Sequence, residues 1–117
     1  FTLIELIIVI AIIAIISAIL APSFSRMTMR TRLKADISTA RELTRQASLY
    51  NADQGQYPTN LSDLKDKEYI NEAPKPQTEG AAFDWQGDKY VVNLGGADEK
   101  VKKIKETLSE DEKAFTN

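Results

Sequence analysis

The sequence predicts an α+β fold, with a long N-terminal α-helix kinked near Pro22 and a small C-terminal domain of a short helix, a β-hairpin and a C-terminal helix. Three observations predict it. Residues 1–22 are apolar at all but four positions. From residue 24 to residue 51, apolar side chains recur at steps of three and four, and neither Gly nor Pro interrupts them. Residues 82–94 contain two short runs with aromatic and β-branched side chains around a glycine, which is typical of a hairpin.

The composition limits the number of domains and excludes several classes of catalytic and metal site. A chain of 117 residues is long enough for one small domain and an extension. It contains no Cys and no His, which excludes disulfides, cysteine nucleophiles, Ser-His triads and the usual zinc sites. We therefore expect a protein that is not an enzyme and that uses no cofactor and no metal.

The net charge of −2 is unevenly distributed along the chain. Residues 1–45 carry six basic side chains against three acidic ones, whereas residues 46–117 carry nine against fourteen. The basic stretch directly follows the apolar block, where lipid headgroups or acidic neighbours are possible partners. Nucleic-acid phosphates are possible too, but the acidic residues interspersed in this stretch favour a solvated face or a contact between chains.

The segment that we assign to residues 1–25 as a transmembrane or filament-core half-helix contains the apolar block, residues 1–22, and is long enough to cross a bilayer. Its first 22 residues reach about 33 Å as a helix, against a hydrocarbon core of about 30 Å. The charge of Glu5 lies one helical turn inside this block. A charge there costs about 2.5–3.5 kcal/mol on insertion scales, and such a residue indicates a functional position. The nearest positive group is the α-amino group of Phe1, in the same chain or in a neighbouring one, and such a pair would fix register.

Pro22 closes the apolar block and predicts a helix break. It lacks an N–H and disfavours helical geometry at Ala21, so the hydrogen-bond ladder should kink or open near residues 18–22. From periodicity alone, a kink in one long helix and the simple end of a membrane helix fit equally well.

Residues 26–53 predict an amphipathic continuation of the helix. Its apolar face consists of Leu33, Ile37, Ala40, Leu43 with Thr44, Ala47 and Tyr50. Asn, Asp and Gly cluster at Asn51–Gly55, which indicates the end of the helix there. The apolar face should therefore pack against the small domain.

We assign residues 54–117 to that small globular domain. Asn60 is expected to cap a short helix that reaches about Lys67, although Asn60-Leu61-Ser62 also matches a glycosylation sequon. The side chains expected to pack on the long helix are Leu61, Leu64, Tyr69 and Ile70.

The hairpin is predicted from Ala82–Trp85 and Asp88–Leu94, with Gln86-Gly87 as its two-residue turn. Asp84 and Asp88 flank this turn, but two carboxylates are too few for the six to eight oxygen ligands of calcium. The expected packing residues of the hairpin are Phe83, Trp85, Tyr90 and Val92.

After Gly95-Gly96, the pattern predicts a helix over Asp98–Leu108, with Val101, Ile104 and Leu108 on one face. Ser109 and Glu112 form the capping-box pattern of a short last helix.

The opening FTLIELIIVIAIIAIISAILAPSF resembles the N-terminus of mature type IV pilins and pseudopilins. The matching features are FTLIE at the first residue, a single embedded Glu and a Pro that ends the run. The resemblance is tight over residues 1–25 and looser over 26–76, where GQYPTNLSDLKDKEYINEAPKP is similar to major pseudopilins and simple pilins. Many family members have Gly where this chain has Ala14, which implies a shorter melted stretch here.

The resemblance implies that a prepilin peptidase removes a leader and N-methylates Phe1. It implies that Glu5 pairs with the Phe1 amine of a neighbouring subunit during assembly, and that the helix bends or melts at Pro22. The partners would be other copies of the chain in a helical filament, the inner-membrane assembly machinery, and lipid before assembly.

Three functions remain open from the sequence. The first is a major pilin of a cell-surface filament for adhesion, motility or DNA uptake, with a pool in the cytoplasmic membrane. The second is a major pseudopilin of a type II secretion or competence system. The third is a membrane-anchored binding module that does not polymerise, for which a carboxylate in lipid brings no advantage.

Overall fold

The computed structural model describes all residues from Phe1 to Asn117 and confirms the α+β fold class. The molecule is elongated, at 75 × 28 × 21 Å, because one helix forms its long axis. The elements in chain order are α1 (Leu3–Gln54), α2 (Leu61–Asp66), β1 (Ala82–Trp85), β2 (Tyr90–Asn93), α3 (Glu99–Lys105) and α4 (Glu110–Lys113).

The long helix α1 is a single uninterrupted element of 52 residues. Pro22 lies inside it, and residues 18–22 are helical, so the helix does not end at Pro22 as one of the two alternatives had it. Because Pro has no N–H, the ladder still lacks the hydrogen bond that the Ala18 carbonyl would accept. The helix ends as predicted: Gly55 has a left-handed backbone (φ 81°), and its N–H donates to the Asn51 carbonyl at 2.8 Å.

The head domain (residues 54–117) packs only on the second half of α1. The predicted apolar face is confirmed, and its buried members are Leu33, Ile37, Ala40, Leu43, Ala47 and Tyr50. They divide into two clusters. One cluster joins Leu33, Ile37 and Ala40 to Val92, Leu94, Ala97, the α3 residues Val101 and Ile104, and Leu108 shortly after α3. The other joins Leu43, Ala47 and Tyr50 to Leu64 and Tyr90. The helix α3 therefore lies toward the apolar block and α2 toward the far end of α1.

The short helix α2 forms where the sequence predicts it. The Asn60 side chain accepts from the Asp63 N–H at 3.0 Å, which confirms its role as the helix cap. Thr59 donates to Asp63 from both its N–H (2.9 Å) and its hydroxyl (2.8 Å), and these bonds lower the pKa of the Asp63 carboxyl. Leu64 is fully buried, and the predicted neighbours Leu61, Tyr69 and Ile70 are half-buried against the same cluster.

The two-stranded antiparallel hairpin is confirmed, but its predicted turn is displaced by one residue. Trp85 pairs with Tyr90, and the Gln86 N–H donates to the Lys89 carbonyl at 2.8 Å, so the turn is Gly87-Asp88. Gly87 has a φ of +87° and Asp88 does not have a positive φ. This combination defines a turn that needs glycine at its first central position.

The end of the chain adds a strand-like segment that the sequence did not predict. Val92 donates to the Phe115 carbonyl at 2.8 Å and accepts from the Asn117 N–H at 2.9 Å, on the edge of β2 that β1 leaves free. The strand β2 is therefore paired on both sides and is buried at Tyr90, Val91 and Val92 alike. A hairpin that is marginal by itself gains a third backbone partner in this way.

The two predicted C-terminal helices both form, but α3 ends at Lys105, three residues before its predicted end at Leu108. Asp98 caps α3 by accepting from the Lys100 N–H at 2.9 Å, and the predicted apolar face of α3 is buried. The Ser109 hydroxyl accepts from the Glu112 N–H at 3.3 Å and donates to the Glu112 carboxylate at 3.1 Å. In a capping box the Glu112 carboxylate would accept from the backbone N–H of Ser109, but here it accepts from the Ser109 hydroxyl instead.

Candidate assembly and membrane site

The first half of α1 has no partner within the chain. Every residue from 1 to 27 is exposed, whereas buried residues begin at Leu33. We call residues 1–27 the apolar half-helix. None of it is buried within the chain, and by length and composition α1 is long and apolar enough to cross a membrane. A helix that is apolar on all sides needs lipid or other protein chains around it.

The two predicted assembly residues lie together at the tip of this half-helix. The Thr2 hydroxyl accepts from the Glu5 N–H at 3.2 Å, and the Glu5 carboxylate accepts from the Thr2 N–H at 3.4 Å. This reciprocal capping box supplies partners for two backbone donors at the start of α1. Glu5 therefore has a local structural role that the sequence reasoning did not identify.

The capping box leaves the charge of Glu5 without a cationic partner inside the chain. The four ion pairs of the molecule involve neither Phe1 nor Glu5. Of the two alternatives for the Phe1 amine, pairing within the same chain is therefore not formed in the isolated subunit. The second carboxylate oxygen and the amine both remain free for another molecule.

Pro22 is not part of this tip. It lies 17 residues beyond Glu5, which corresponds to about 26 Å of helix. Phe1 and Glu5 thus lie at the tip of the apolar half-helix and Pro22 near its other end, so the predicted site residues do not form one pocket. No group of three or more Asp, Glu, His or Cys side chains lies close enough to hold a metal ion.

Two polar residues of α1 hold the head domain in place. Asp36 is buried, with 1% of its surface exposed, and accepts from the N–H groups of Gln77 (2.7 Å) and Thr78 (2.8 Å). The Thr44 hydroxyl accepts from the Tyr90 N–H at 2.9 Å and donates to the Ala40 carbonyl at 2.8 Å. The two bonds to Asp36 and the bond from the Tyr90 N–H to Thr44 join α1 to segments more than 40 residues away. These three bonds therefore fix the position of the head domain along the helix.

The role of Asp36 was missed by the sequence reasoning, although a signal for it exists. Asp36 follows Leu33 by three residues and precedes Ala40 by four, so it lies on the apolar face of α1. A charged side chain on such a face predicts a buried partner. The identity of that partner depends on the loop at Gln77 and Thr78, whose path the local pattern does not determine.

Comparisons with known proteins identified no relative of this chain. No family model, curated protein or solved structure matches the chain. The resemblance of the N-terminus to pilins therefore rests on the residues of that segment themselves.

Proposed function

We propose that this chain is the subunit of a type IV pilus-like filament, in which the apolar half-helices of many copies form the central bundle. The observation that carries the proposal is the complete exposure of residues 1–27, next to a head domain that is buried only against the second half of the same helix. Contiguous apolar surface of this extent marks an interaction with lipid or with protein.

The unpaired charges at the tip favour assembly over simple anchoring. An anchor gains nothing from a carboxylate in lipid, where the charge is costly. In a bundle of parallel half-helices, the Glu5 carboxylate of one subunit reaches the Phe1 amine of the next. Removing one member of such a buried pair is expensive, so the pair sets the axial register between subunits.

Before assembly, the same half-helix would hold the subunit in the cytoplasmic membrane. Its length fits this state, since residues 1–22 span about 33 Å. The proposal places the assembled filament at the cell surface and requires a prepilin peptidase that exposes and methylates the amine of Phe1, together with inner-membrane assembly machinery.

The proposal is tested with Glu5 variants in cells that produce the chain. Filaments are sheared from the cells, examined by electron microscopy and measured by immunoblot, and the chain that remains in the membrane is measured in parallel. We expect Glu5→Ala and Glu5→Gln to lose filaments while the membrane pool persists. Gln retains an oxygen for the Thr2 N–H, so a loss in Glu5→Gln reports on the charge and not on the cap.

Glu42→Ala is the matched control. Glu42 is an exposed carboxylate of α1 that pairs with Arg45 at 2.8 Å, outside the apolar half-helix. This variant should give filaments in the wild-type amount. A normal filament yield from Glu5→Ala would refute the assembly role of the Glu5 charge. Absence of filaments from wild-type cells, without an export or DNA-uptake defect on deletion, would leave a membrane-anchored binding module.

The same preparation separates the two filament functions. Long filaments sheared from wild-type cells support a major pilin. No filaments from wild-type cells, together with a protein-export or DNA-uptake defect when the chain is deleted, would instead assign it to a pseudopilus.

A further inference from the structure

A basic cleft lies where the head domain meets the end of the apolar half-helix. It has a volume of about 570 Å³, within the range of about 300–1,000 Å³ that is typical of ligand sites. The fold builds it from residues more than 70 positions apart, because α3 packs beside the start of the buried half of α1. Its lining combines three cations with apolar side chains: Arg26, Lys100 and Lys103 with Pro22, Met29 and Ile104.

None of the cations in this cleft is neutralised within the chain. The ion pairs of the molecule use Lys34, Arg45, Lys102 and Lys113. Arg26, Lys100 and Lys103 are exposed and form no ion pair. Arg30 is also unpaired and lines a smaller neighbouring cleft of about 260 Å³, together with Arg26 and Ile104. Four uncompensated positive charges therefore lie in one region.

The position of the cleft along α1 indicates what its charges meet. Arg26 comes four residues after Pro22, which is about one helical turn beyond the apolar block. With that block in the hydrocarbon core, Arg26 lies at the level of the lipid headgroups. Lys100 and Lys103 are brought to the same level by the fold, although they are remote in sequence.

We propose that this basic cleft binds the phosphate of an anionic phospholipid and so holds the head domain on the membrane surface before assembly. The inference rests on the proposed function only in placing the apolar half-helix in a membrane. Basic residues near an anionic membrane surface each contribute an attraction that corresponds to about fivefold in affinity. The cleft would therefore make retention of the subunit depend on lipid charge.

The apolar part of the lining favours a phospholipid over a free phosphate. Met29 and Ile104 lie beside the cations, and the exposed apolar side chains before Pro22 continue from them along α1. An amphiphile satisfies both surfaces, since its phosphate meets the cations while its acyl chains lie along the apolar half-helix. Inorganic phosphate would leave the apolar surface uncovered.

The test measures lipid binding to the full-length chain in a neutral detergent. Native mass spectrometry follows binding of phosphatidylglycerol and of phosphatidylcholine, with inorganic phosphate as a competitor. We expect phosphatidylglycerol to bind at least tenfold more tightly than phosphatidylcholine. Inorganic phosphate, at the concentration of the lipid, should not displace it.

The decisive variant is the double substitution Lys100→Gln/Lys103→Gln, and its matched control is Lys65→Gln/Lys67→Gln. Both remove two positive charges from exposed positions, but α2 packs near Ala47, about 32 Å along α1 from Arg26. We expect the first variant to lose about 25-fold in affinity for phosphatidylglycerol. The control should change by less than about twofold, and both should keep the wild-type unfolding temperature.

Four results would overturn the proposal. Three concern the lipid itself: equal affinity for the two lipids, equal losses of affinity in the two double variants, or displacement of the lipid by inorganic phosphate at the lipid concentration. The fourth is a Lys100→Gln/Lys103→Gln chain that binds lipid as the wild type does but has lost a contact with a second copy. The last result would assign the cleft to the acidic surface of a second copy. Flotation with neutral vesicles measures anchoring separately. Because lipid binding is read on detergent-dispersed chains, its failure is distinguishable from a failure to form filaments.

Discussion

The two halves of α1 belong to one uninterrupted helix, yet they have opposite surroundings. From residue 1 to residue 27 every side chain is exposed, whereas from Leu33 to Tyr50 the side chains at three- and four-residue steps are buried. The first half is apolar on all sides and the second half on one side only. A helix that is apolar all round therefore needs lipid or other chains around it, whereas a helix with one apolar face completes the core of its own chain.

The difference also explains how a small head domain folds without disulfides. Its nine-residue and five-residue buried clusters both include residues of α1. Small domains commonly need additional support for their cores. Here the second half of α1 supplies that support, while the first half is left free for lipid or for other copies.

The largest expected effect comes from a matched pair of isoleucines, one from each half. Ile37 is 2% exposed and Ile12 is 52% exposed. We expect Ile37→Ala to lower the free energy of unfolding by roughly 3 kcal/mol, since it removes buried methyl groups and leaves a cavity. Ile12→Ala should change it by less than about 0.5 kcal/mol. Denaturation of both variants in detergent micelles, followed by circular dichroism, measures the difference, and equal losses would contradict it.

A slightly smaller effect is expected from the buried carboxylate that ties the head domain to α1. Asp36→Ala leaves the N–H groups of Gln77 and Thr78 without an acceptor, which should cost roughly 3 kcal/mol or less. Asp36→Asn retains one carbonyl oxygen and should recover part of that loss. Chemical denaturation compares both with Glu42→Ala, an exposed carboxylate on the same helix that should stay near wild type. Wild-type stability of Asp36→Ala would show that the loop does not need this acceptor.

The head domain, which packs on the second half of α1, is expected to show an alkaline pH dependence of stability. Burial raises the pKa of Tyr90 to about 12, against about 10 in an unfolded chain. The folded state thus favours the neutral hydroxyl, and the stability it contributes below pH 10 is lost as the pH rises from about 10 to 12. The Tyr90 hydroxyl is buried without a hydrogen-bond partner, so Tyr90→Phe should be neutral or stabilising by up to about 1 kcal/mol.

Thermal unfolding between pH 8 and pH 12 measures this dependence. Tyr90→Phe should flatten the alkaline decrease, whereas Tyr57→Phe, at a 40% exposed position, should keep it. A smaller decrease should remain in Tyr90→Phe, because the Tyr69 hydroxyl donates to Asp53 at 2.6 Å and this bond raises the pKa of Tyr69. An unchanged alkaline profile in Tyr90→Phe would contradict the assignment.

The smallest effect is expected at Pro22, within the apolar half-helix. Pro22→Ala restores the N–H that the Ala18 carbonyl lacks, so amide exchange around residues 18–22 should slow. The unfolding temperature of the head domain should not change, because Pro22 is exposed. Amide exchange measured by mass spectrometry tests the slowing around residues 18–22. A changed unfolding temperature would show that the two halves of α1 are coupled more closely than their packing indicates.

Local signals in the sequence predicted most of the fold. The apolar repeat of α1, the cap at Gly55, the cap at Asn60 and the face of α3 all depend on spacings of four residues or fewer, and all are confirmed. The turn of the hairpin was displaced by one residue because Gln86-Gly87 and Gly87-Asp88 are both plausible two-residue turns. The hydrogen bond from the Gln86 N–H to the Lys89 carbonyl selects Gly87-Asp88 as the turn.

Apart from the local capping box of Thr2 and Glu5, the features that the sequence reasoning missed depend on distant residues. Asp36 meets a loop 41 residues away, and the C-terminal segment pairs with β2 across more than 20 residues. The basic cleft likewise joins Arg26 to Lys100 and Lys103. Such contacts follow from how the head domain docks on α1, which periodicity and capping patterns do not encode.

The independence of the two halves is tested most directly by deleting residues 1–25 and measuring thermal unfolding of the remaining chain without detergent. We expect a monomer that unfolds cooperatively within a few degrees of the full-length chain in detergent, and that forms no filaments. Loss of the folded state, or a fall of more than about 8 °C, corresponding to roughly 1–2 kcal/mol, would show that the apolar half-helix stabilises the head domain, contrary to the division between the two halves of α1.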